Sequence, residues 1–207
     1  MTVAVQIGTN NANDFFLEIC KERKFDKVFL IEPQSRFNRE IATRYAGVNH
    51  SITNVAITSI PGLTVARLYE LNENGGHDSL SKRKSHPSRK EGDSVSMKIV
   101  ECTTLENFCY ENKIESIDLL CIDTEGLDNE IILSIDFEKV PISEIIWEEW
   151  IHEDDDENAT YKTGPSVNRE ACCKLRDAGY VVDRYGTSDW IATKQEDKDG
   201  HGWTSVG

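Results

Sequence analysis

Residues 117–132 read Ile-Asp-Leu-Leu-Cys-Ile-Asp-Thr-Glu-Gly-Leu-Asp-Asn-Glu-Ile-Ile. The first part, 117–123, is a short and nearly continuous apolar run, which predicts a strand buried on both faces. The segment 126–135, opened by Gly126, reads as a helix. A buried strand that passes through a tight turn into a helix is one half of a parallel crossover unit.

The same grammar repeats on the N-terminal side. Val3–Ile7 is a short apolar run stopped by Gly8. Residues 13–23 follow as a helix, with Phe15, Phe16, Ile19 and Cys20 at helical spacing. Lys-Val-Phe-Leu-Ile-Glu (27–32) is a second buried strand, ended by Pro33. Ser35 is placed to cap a helix that runs to about Ala46, and 51–57 is a third strand. Two β-rich pieces, 64–71 and 95–101, flank a polar stretch at about 72–94 that holds Gly75, Gly76, Pro87 and Gly92.

The alternation then resumes. Residues 103–106 (Thr-Thr-Leu-Glu) have the pattern of a capping box before a short helix. Residues 142–149 form another strand. An acidic loop, 152–157, leads to a helix at 166–178 that Gly179 stops. Tyr180–Tyr185 and 190–194 read as a closing hairpin. No linker or internal repeat interrupts this series. The expectation is one α/β domain over residues 1–194, built on a doubly wound, mostly parallel sheet with a C-terminal antiparallel hairpin. A polar insertion at about 72–94 and a polar tail at 195–207 complete it.

Composition narrows the partners. The 207 residues carry 23 Lys+Arg and 37 Asp+Glu, a formal net charge of −14. Nucleic-acid backbones and anionic membranes both need basic surface, so neither is expected as the main partner. The charge is unevenly spread. Residues 144–157 hold eight acids and no Lys or Arg, whereas 77–90 holds five basic residues against Asp78 alone. That basic stretch, with His77 and His86, reads as a solvated insertion or as a lid over an anionic or sugar substrate. No apolar run approaches the ~20 residues of a membrane span. Residues 1–6 lack a basic n-region, which predicts no signal peptide and a cytoplasmic location. The six cysteines form no C-x-x-C or zinc-type spacing, and several lie in apolar runs, as reduced, buried cysteines do.

In a doubly wound sheet, ligands bind beyond the carboxyl ends of the strands. After the first strand come Gly8, Thr9, Asn10, Asn11 and Ala12. One glycine permits a tight turn or a close ligand approach, but falls short of G-x-G-x-x-G. Glu32 ends the second strand, 24 residues after Gly8. An acid at that offset suits ribose hydroxyls, so Gly8 and Glu32 together point to a nucleoside-containing ligand. Asp123 and Glu125 follow the strand at 117. They fit a chemical role, or helix N-terminal acids that favour the macrodipole. His152 lies just past the strand at 142, where it fits a general base or a surface histidine beside acids.

These residues carry a resemblance. VQIGTN (5–10), FLIEP (29–33), NVAI (54–57), TTLENF (103–108), IDLLCIDTEGLDNEII (117–132) and EEWIH (148–152) resemble the FkbM family of class I methyltransferases. The likeness runs from about residue 3 to 194, and GTSDWIAT (186–193) resembles the last hairpin of one branch. It implies a Rossmann-like methyltransferase fold that binds S-adenosylmethionine and methylates a hydroxyl of a sugar or other small natural product. On the matching positions it implies Gly8, Thr9, Asn10, Glu32, Asn54, Ala56 and Asp123 for the cofactor. Asp123 and Glu125 match the family's paired acids, and Glu149 with His152 matches a Glu-x-x-His. Ala12 stands where the family usually has glycine, and its methyl is expected to narrow the approach to the cofactor's methionine end.

The expected chemistry is in-line methyl transfer, with His152, Asp123 or Glu125 removing the acceptor's proton. A divalent ion held by Asp123, Glu125, Glu149 and His152 is an alternative arrangement of the same residues. Two other functions fit the fold: a non-catalytic S-adenosylmethionine- or nucleoside-binding module, suggested by Ala12, and a NAD-dependent oxidoreductase. The missing second and third glycines weigh against the latter. The sequence does not specify the acceptor.

Overall fold

The computed structural model describes residues 1–70, 79–80, 96–148, 165–186 and 189–195. Ten strands and five α-helices lie in these segments. In chain order they are β1 (Val3–Ile7), α1 (Phe15–Arg23), β2 (Lys27–Ile31), α2 (Asn38–Arg44), β3 (His50–Thr53), β4 (Ala56–Ile57), β5 (Val65–Glu70), β6 (Ser96–Thr103), α3 (Leu105–Asn112), β7 (Ile117–Ile122), α4 (Asp128–Ser134), β8 (Ile142–Glu148), α5 (Pro165–Asp177), β9 (Tyr180–Tyr185) and β10 (Asp189–Lys194). A single 3-10 turn, Ser35–Phe37, precedes α2.

Seven strands form the main sheet in the order β3-β2-β1-β7-β8-β10-β9. The first five in that order are parallel, and β10 runs antiparallel to both β8 and β9. The expected doubly wound sheet with a closing hairpin is therefore present. The chain order reverses at β1, which lies between β2 and β7; this is the topological switch point where such sheets bind ligands. A smaller sheet, β4-β6-β5, stands beside the main one.

Each central strand buries both faces. Val3, Val5 and Ile7 of β1 belong to one apolar cluster with β7, β8 and α3–α5, while Ala4 packs with α1, α2 and Val28 on the other side. This double burial is why these strands read as continuous apolar runs. Trp147 of β8 is fully buried and stacks on Trp190 of β10 at 6.3 Å between ring centroids. Tyr180 donates its O–H to the Ile142 carbonyl at 2.6 Å, fastening the hairpin to β8. Lys174 of α5 donates to the carbonyls of Leu133 and Ile135, satisfying the open end of α4.

The third strand differs from expectation. Residues 51–57 do not form one strand: β3 stays in the main sheet and β4 joins the second. The break is at Asn54, whose side-chain N–H₂ donates to the Glu32 carbonyl at 2.8 Å and to Asn38 at 2.9 Å. The amide group satisfies the end of β2 as the chain turns away, so an uninterrupted apolar pattern conceals a change of sheet. The helix expected from Ser35 to Ala46 is shorter and begins with the 3-10 turn. The α3 cap is displaced by one residue: Thr104, not Thr103, accepts the N–H three residues on, from Asn107.

All six cysteines are free, and all but Cys173 are buried. Burial pushes the thiols of Cys20 and Cys109 up to about 12, which keeps both uncharged and unreactive near neutral pH. Among the described residues no helix is long and apolar enough to cross a membrane.

Candidate functional site

Strand register sets the site. Ile7 of β1 pairs with Ile31 of β2 and with Ile122 of β7. The next residue of each strand is Gly8, Glu32 and Asp123, so these three stand in one row at the carboxyl edge. Ile31 also pairs with Thr53 and Ile122 with Trp147, which extends the row to Asn54 and Glu148.

The row is tightly drawn at β1. Gly8 has φ +82, and a side-chain carbon there would lie 1.8 Å from the Asp123 carbonyl oxygen. Gly8 donates its N–H to the Ile31 carbonyl at 2.9 Å, while Asp123 donates to the Ile7 carbonyl at 2.9 Å. The close approach that demands glycine is thus between two protein backbones.

Glu32 is buried at the cavity edge. Its Oε2 accepts the Asn10 N–H at 2.8 Å and its Oε1 accepts the Gln34 N–H at 2.9 Å. The carboxylate also pins the loop after β1, where Asn10 and Ala12 both take left-handed backbone angles, φ 48 and φ 59.

Beyond the row lies a cavity of about 670 Å³, open to solvent. One side is polar, with Gly8, Asn10, Glu32, Asp123 and Glu125. The other is apolar, with Pro33, Val55, Ile57, Leu68 and Leu80. The apolar side comes largely from the segment after Asn54 and from β5, so the change of sheet at Asn54 is what gives the cavity its second wall.

Asp123 is half-buried and faces an acidic neighbourhood. Burial raises its pKa well above the usual carboxylate range, and the charges of Asp128, Glu125, Glu148 and Asp14 raise it further. Asp128 is fully buried. Burial lifts it to about 6, against hydrogen bonds from Thr124 and Gly126 that favour its charged form. Asp14 caps α1 by accepting the Phe16 N–H at 2.9 Å, and accepts the side-chain N–H₂ of buried Gln6 at 2.7 Å. Burial again raises its pKa, outweighing those bonds.

Of the residues singled out in the sequence, Gly8, Asn10, Glu32, Ala56, Asp123 and Glu125 line this one cavity. Thr9 and Asn54 do not. Thr9 is buried, with its N–H 3.2 Å and its O–H 3.4 Å from the Ile31 carbonyl. Asn54 is engaged with Asn38 and the end of β2. Ala12 is also absent from the lining: its methyl is buried in the cluster beneath α1. Its departure from glycine therefore loads the backbone rather than narrowing the cavity. Glu149, His152 and the basic stretch 77–90, except for Ser79 and Leu80, lie outside the described residues. Among the described residues no group of three or more His, Cys, Asp or Glu side chains is arranged to hold a metal ion.

Asp128 and Asp14 were not distinguished by sequence reading. Asp14 had a signal, because an Asp directly before an apolar helical run is an N-cap pattern. Asp128 had none, because an acid in a helix's first turn is ordinary there.

Residues 6–182 match the family model described as the Methyltransferase FkbM domain. No curated protein matches the sequence. Among solved structures, the chain is similar to a precorrin-6y C5,15-methyltransferase from Geobacter metallireducens GS-15, with 14% identity and a TM-score of 0.46 over 93% of this chain and 80% of that chain. It is also similar to TrmK of M. capricolum in complex with S-adenosyl-homocysteine, with 12% identity and a TM-score of 0.46 over 97% of this chain and 66% of that chain. A SAM-dependent methyltransferase from Aquifex aeolicus has 12% identity and a TM-score of 0.41 over 92% of this chain and 80% of that chain.

Proposed function

This chain belongs to the FkbM methyltransferase family, and on that premise we propose that it transfers a methyl group from S-adenosylmethionine to a hydroxyl oxygen of a sugar or another small neutral polyol. The observation that carries this reading is Glu32. It is a buried carboxylate at the switch point whose two oxygens accept backbone N–H groups, and it lines a cavity with an apolar far wall.

The residues fit the cofactor. Glu32 would accept the ribose hydroxyls. Pro33, Val55, Ile57, Leu68 and Leu80 would cover the purine. The loop at Gly8 and Asn10 would take the methionine end. The acids around Asp123 suit a cationic sulfonium, because opposite charge in a partly desolvated site is strongly felt. When bound, S-adenosylmethionine would supply an electrophilic methyl carbon for in-line attack by the acceptor oxygen, the carbon–sulfur bond breaking as a neutral thioether leaves.

The chain's own work is to align the acceptor oxygen and to take its proton. Alignment is worth roughly 7–11 kcal/mol at best. Proton removal falls to Asp123 or His152, with Glu125 orienting acceptor hydroxyls. Burial and the neighbouring carboxylates raise the pKa of Asp123, which makes its carboxylate a stronger base than an ordinary one. The net charge of −14 favours a neutral acceptor over a polyanion.

The test is transfer of radiolabelled methyl from S-adenosylmethionine to a panel of sugars, polyols and hydroxylated natural products. Label in an ether of a neutral acceptor supports the reading. Label only in RNA or in protein side chains would contradict it.

A further inference from the structure

The turn that carries Asp123 and Glu125 is held from both sides by side chains outside the strand it follows. On one side stands Asp128, buried beneath the turn. Its carboxylate accepts the Thr124 O–H at 2.9 Å, the Thr124 N–H at 3.3 Å and the Gly126 N–H at 3.1 Å. On the other side stands Ser79, also buried, whose O–H donates to the Glu125 carbonyl at 3.0 Å.

Ser79 is itself anchored to the second sheet. It exchanges two backbone hydrogen bonds with Tyr69 of β5, at 2.8 and 3.1 Å. Its neighbour Leu80 packs into the core and forms part of the apolar cavity wall. One dipeptide thus joins the apolar wall to the acidic turn opposite.

The turn needs such support. Glu125 and Gly126 both have left-handed backbone angles, φ 58 and φ 110, and a glutamate does not hold that conformation unaided. Asp123 is also surrounded by other carboxylates whose repulsion would spread the turn. With the N–H groups held by Asp128 and the carbonyl by Ser79, both acids stay directed at the cavity.

Resting on the reading of this cavity as the cofactor site, we propose that Ser79 and Asp128 are positioning residues that lock the Asp123–Glu125 turn against the cavity, Ser79 doing so from the second sheet. Neither is a catalytic residue. Each acts through the backbone of the turn.

The test compares wild type, Ser79→Ala, Asp128→Asn and a control, Ser134→Ala. The control removes an equivalent hydroxyl-to-carbonyl bond, from Ser134 to Ile131, away from the turn. Amide hydrogen exchange at Thr124 and Gly126 is followed by NMR without ligand, and S-adenosyl-homocysteine affinity by calorimetry. Both site variants are expected to speed Gly126 exchange about tenfold and to weaken the ligand by a similar factor. The control changes neither, at whatever cost in Tm. If Asp128→Asn does not fold, Ser79→Ala decides alone. Exchange and affinity in Ser79→Ala equal to those of the control would overturn the positioning role. Faster exchange in the variants of a wild type that binds no S-adenosyl-homocysteine would instead support the lock and overturn the cofactor reading.

Discussion

The α-carbon of Gly8 lies so close to the Asp123 carbonyl that a side-chain carbon at Gly8 would stand 1.8 Å from its oxygen. The first βα turn and the acidic motif after β7 are therefore one packed unit. Replacing Gly8 by Ala must push the two strand ends apart and hold alanine at a φ of +82. We expect Gly8→Ala to lose at least about 3 kcal/mol of stability. Urea unfolding measures this, and a midpoint equal to that of wild type would show that the two strand ends are not in contact.

The buried acids make stability depend on pH in an unusual direction. A carboxyl whose folded pKa is raised binds its proton more tightly in the folded chain than in the unfolded one. Its contribution is most favourable below its ordinary pKa and is lost as pH rises through the folded value. For Asp128 that window runs from about 4 to about 6, worth on the order of 3 kcal/mol. Asp123 and Asp14 are shifted in the same direction. Stability should fall between pH 4 and 6, and Asp128→Asn should flatten the fall. Denaturant titrations at several pH values test the slope.

On the proposed chemistry, Asp123 and His152 are rival candidates for the proton acceptor. If Asp123 is the base, Asp123→Asn lowers kcat by about 10²–10⁴. S-adenosyl-homocysteine binding then changes far less, and His152→Ala leaves the rate near wild type. Single-turnover transfer to the identified acceptor distinguishes the two. Equal and small losses in both variants would remove this chemistry from both residues.

A site remote from the cavity tests the backbone reading. Lys113 ends α3 with φ 56 and is exposed. Glycine there relieves the left-handed strain, about 1–2 kcal/mol, and loses some of that to unfolded-state entropy. Lys113→Gly should raise Tm by about 2 °C. A lower Tm would mean that the helix ends in another conformation.

Much of the fold was legible because its central strands are buried on both faces. Continuous apolar runs such as 27–31 and 117–122 stand out from the polar segments around them, and the closing hairpin followed from two short runs around the turn residues 186–189. The change of sheet at Asn54 was not legible. Ser51 to Ile57 is β-rich throughout, and nothing local says that an asparagine amide will replace the ladder. The cavity residues Gly8, Glu32 and Asp123 were found because each follows a strand directly, and Asn10 and Glu125 because they lie in the turns that those strands enter. Ser79 and Asp128 were not legible as supports of the acidic turn. Ser79 reaches Glu125 across 46 positions of chain, whereas Asp128 acts on Thr124 and Gly126 just before it, from a place in a helix's first turn where an acid is ordinary. The role of Ala12 was inverted for a related reason: the sequence marks the missing glycine, but not which way its methyl faces.

The central claim is that Glu32 and the row beside it bind S-adenosylmethionine. Calorimetric titration of the intact chain with S-adenosyl-homocysteine, repeated with NAD and with Glu32→Ala, tests it most directly. We predict saturable binding of S-adenosyl-homocysteine, no binding of NAD, and at least a tenfold loss of affinity in Glu32→Ala, the worth of a hydrogen bond to a charged group. No heat of binding with S-adenosyl-homocysteine, or equal affinity in Glu32→Ala, would contradict the account.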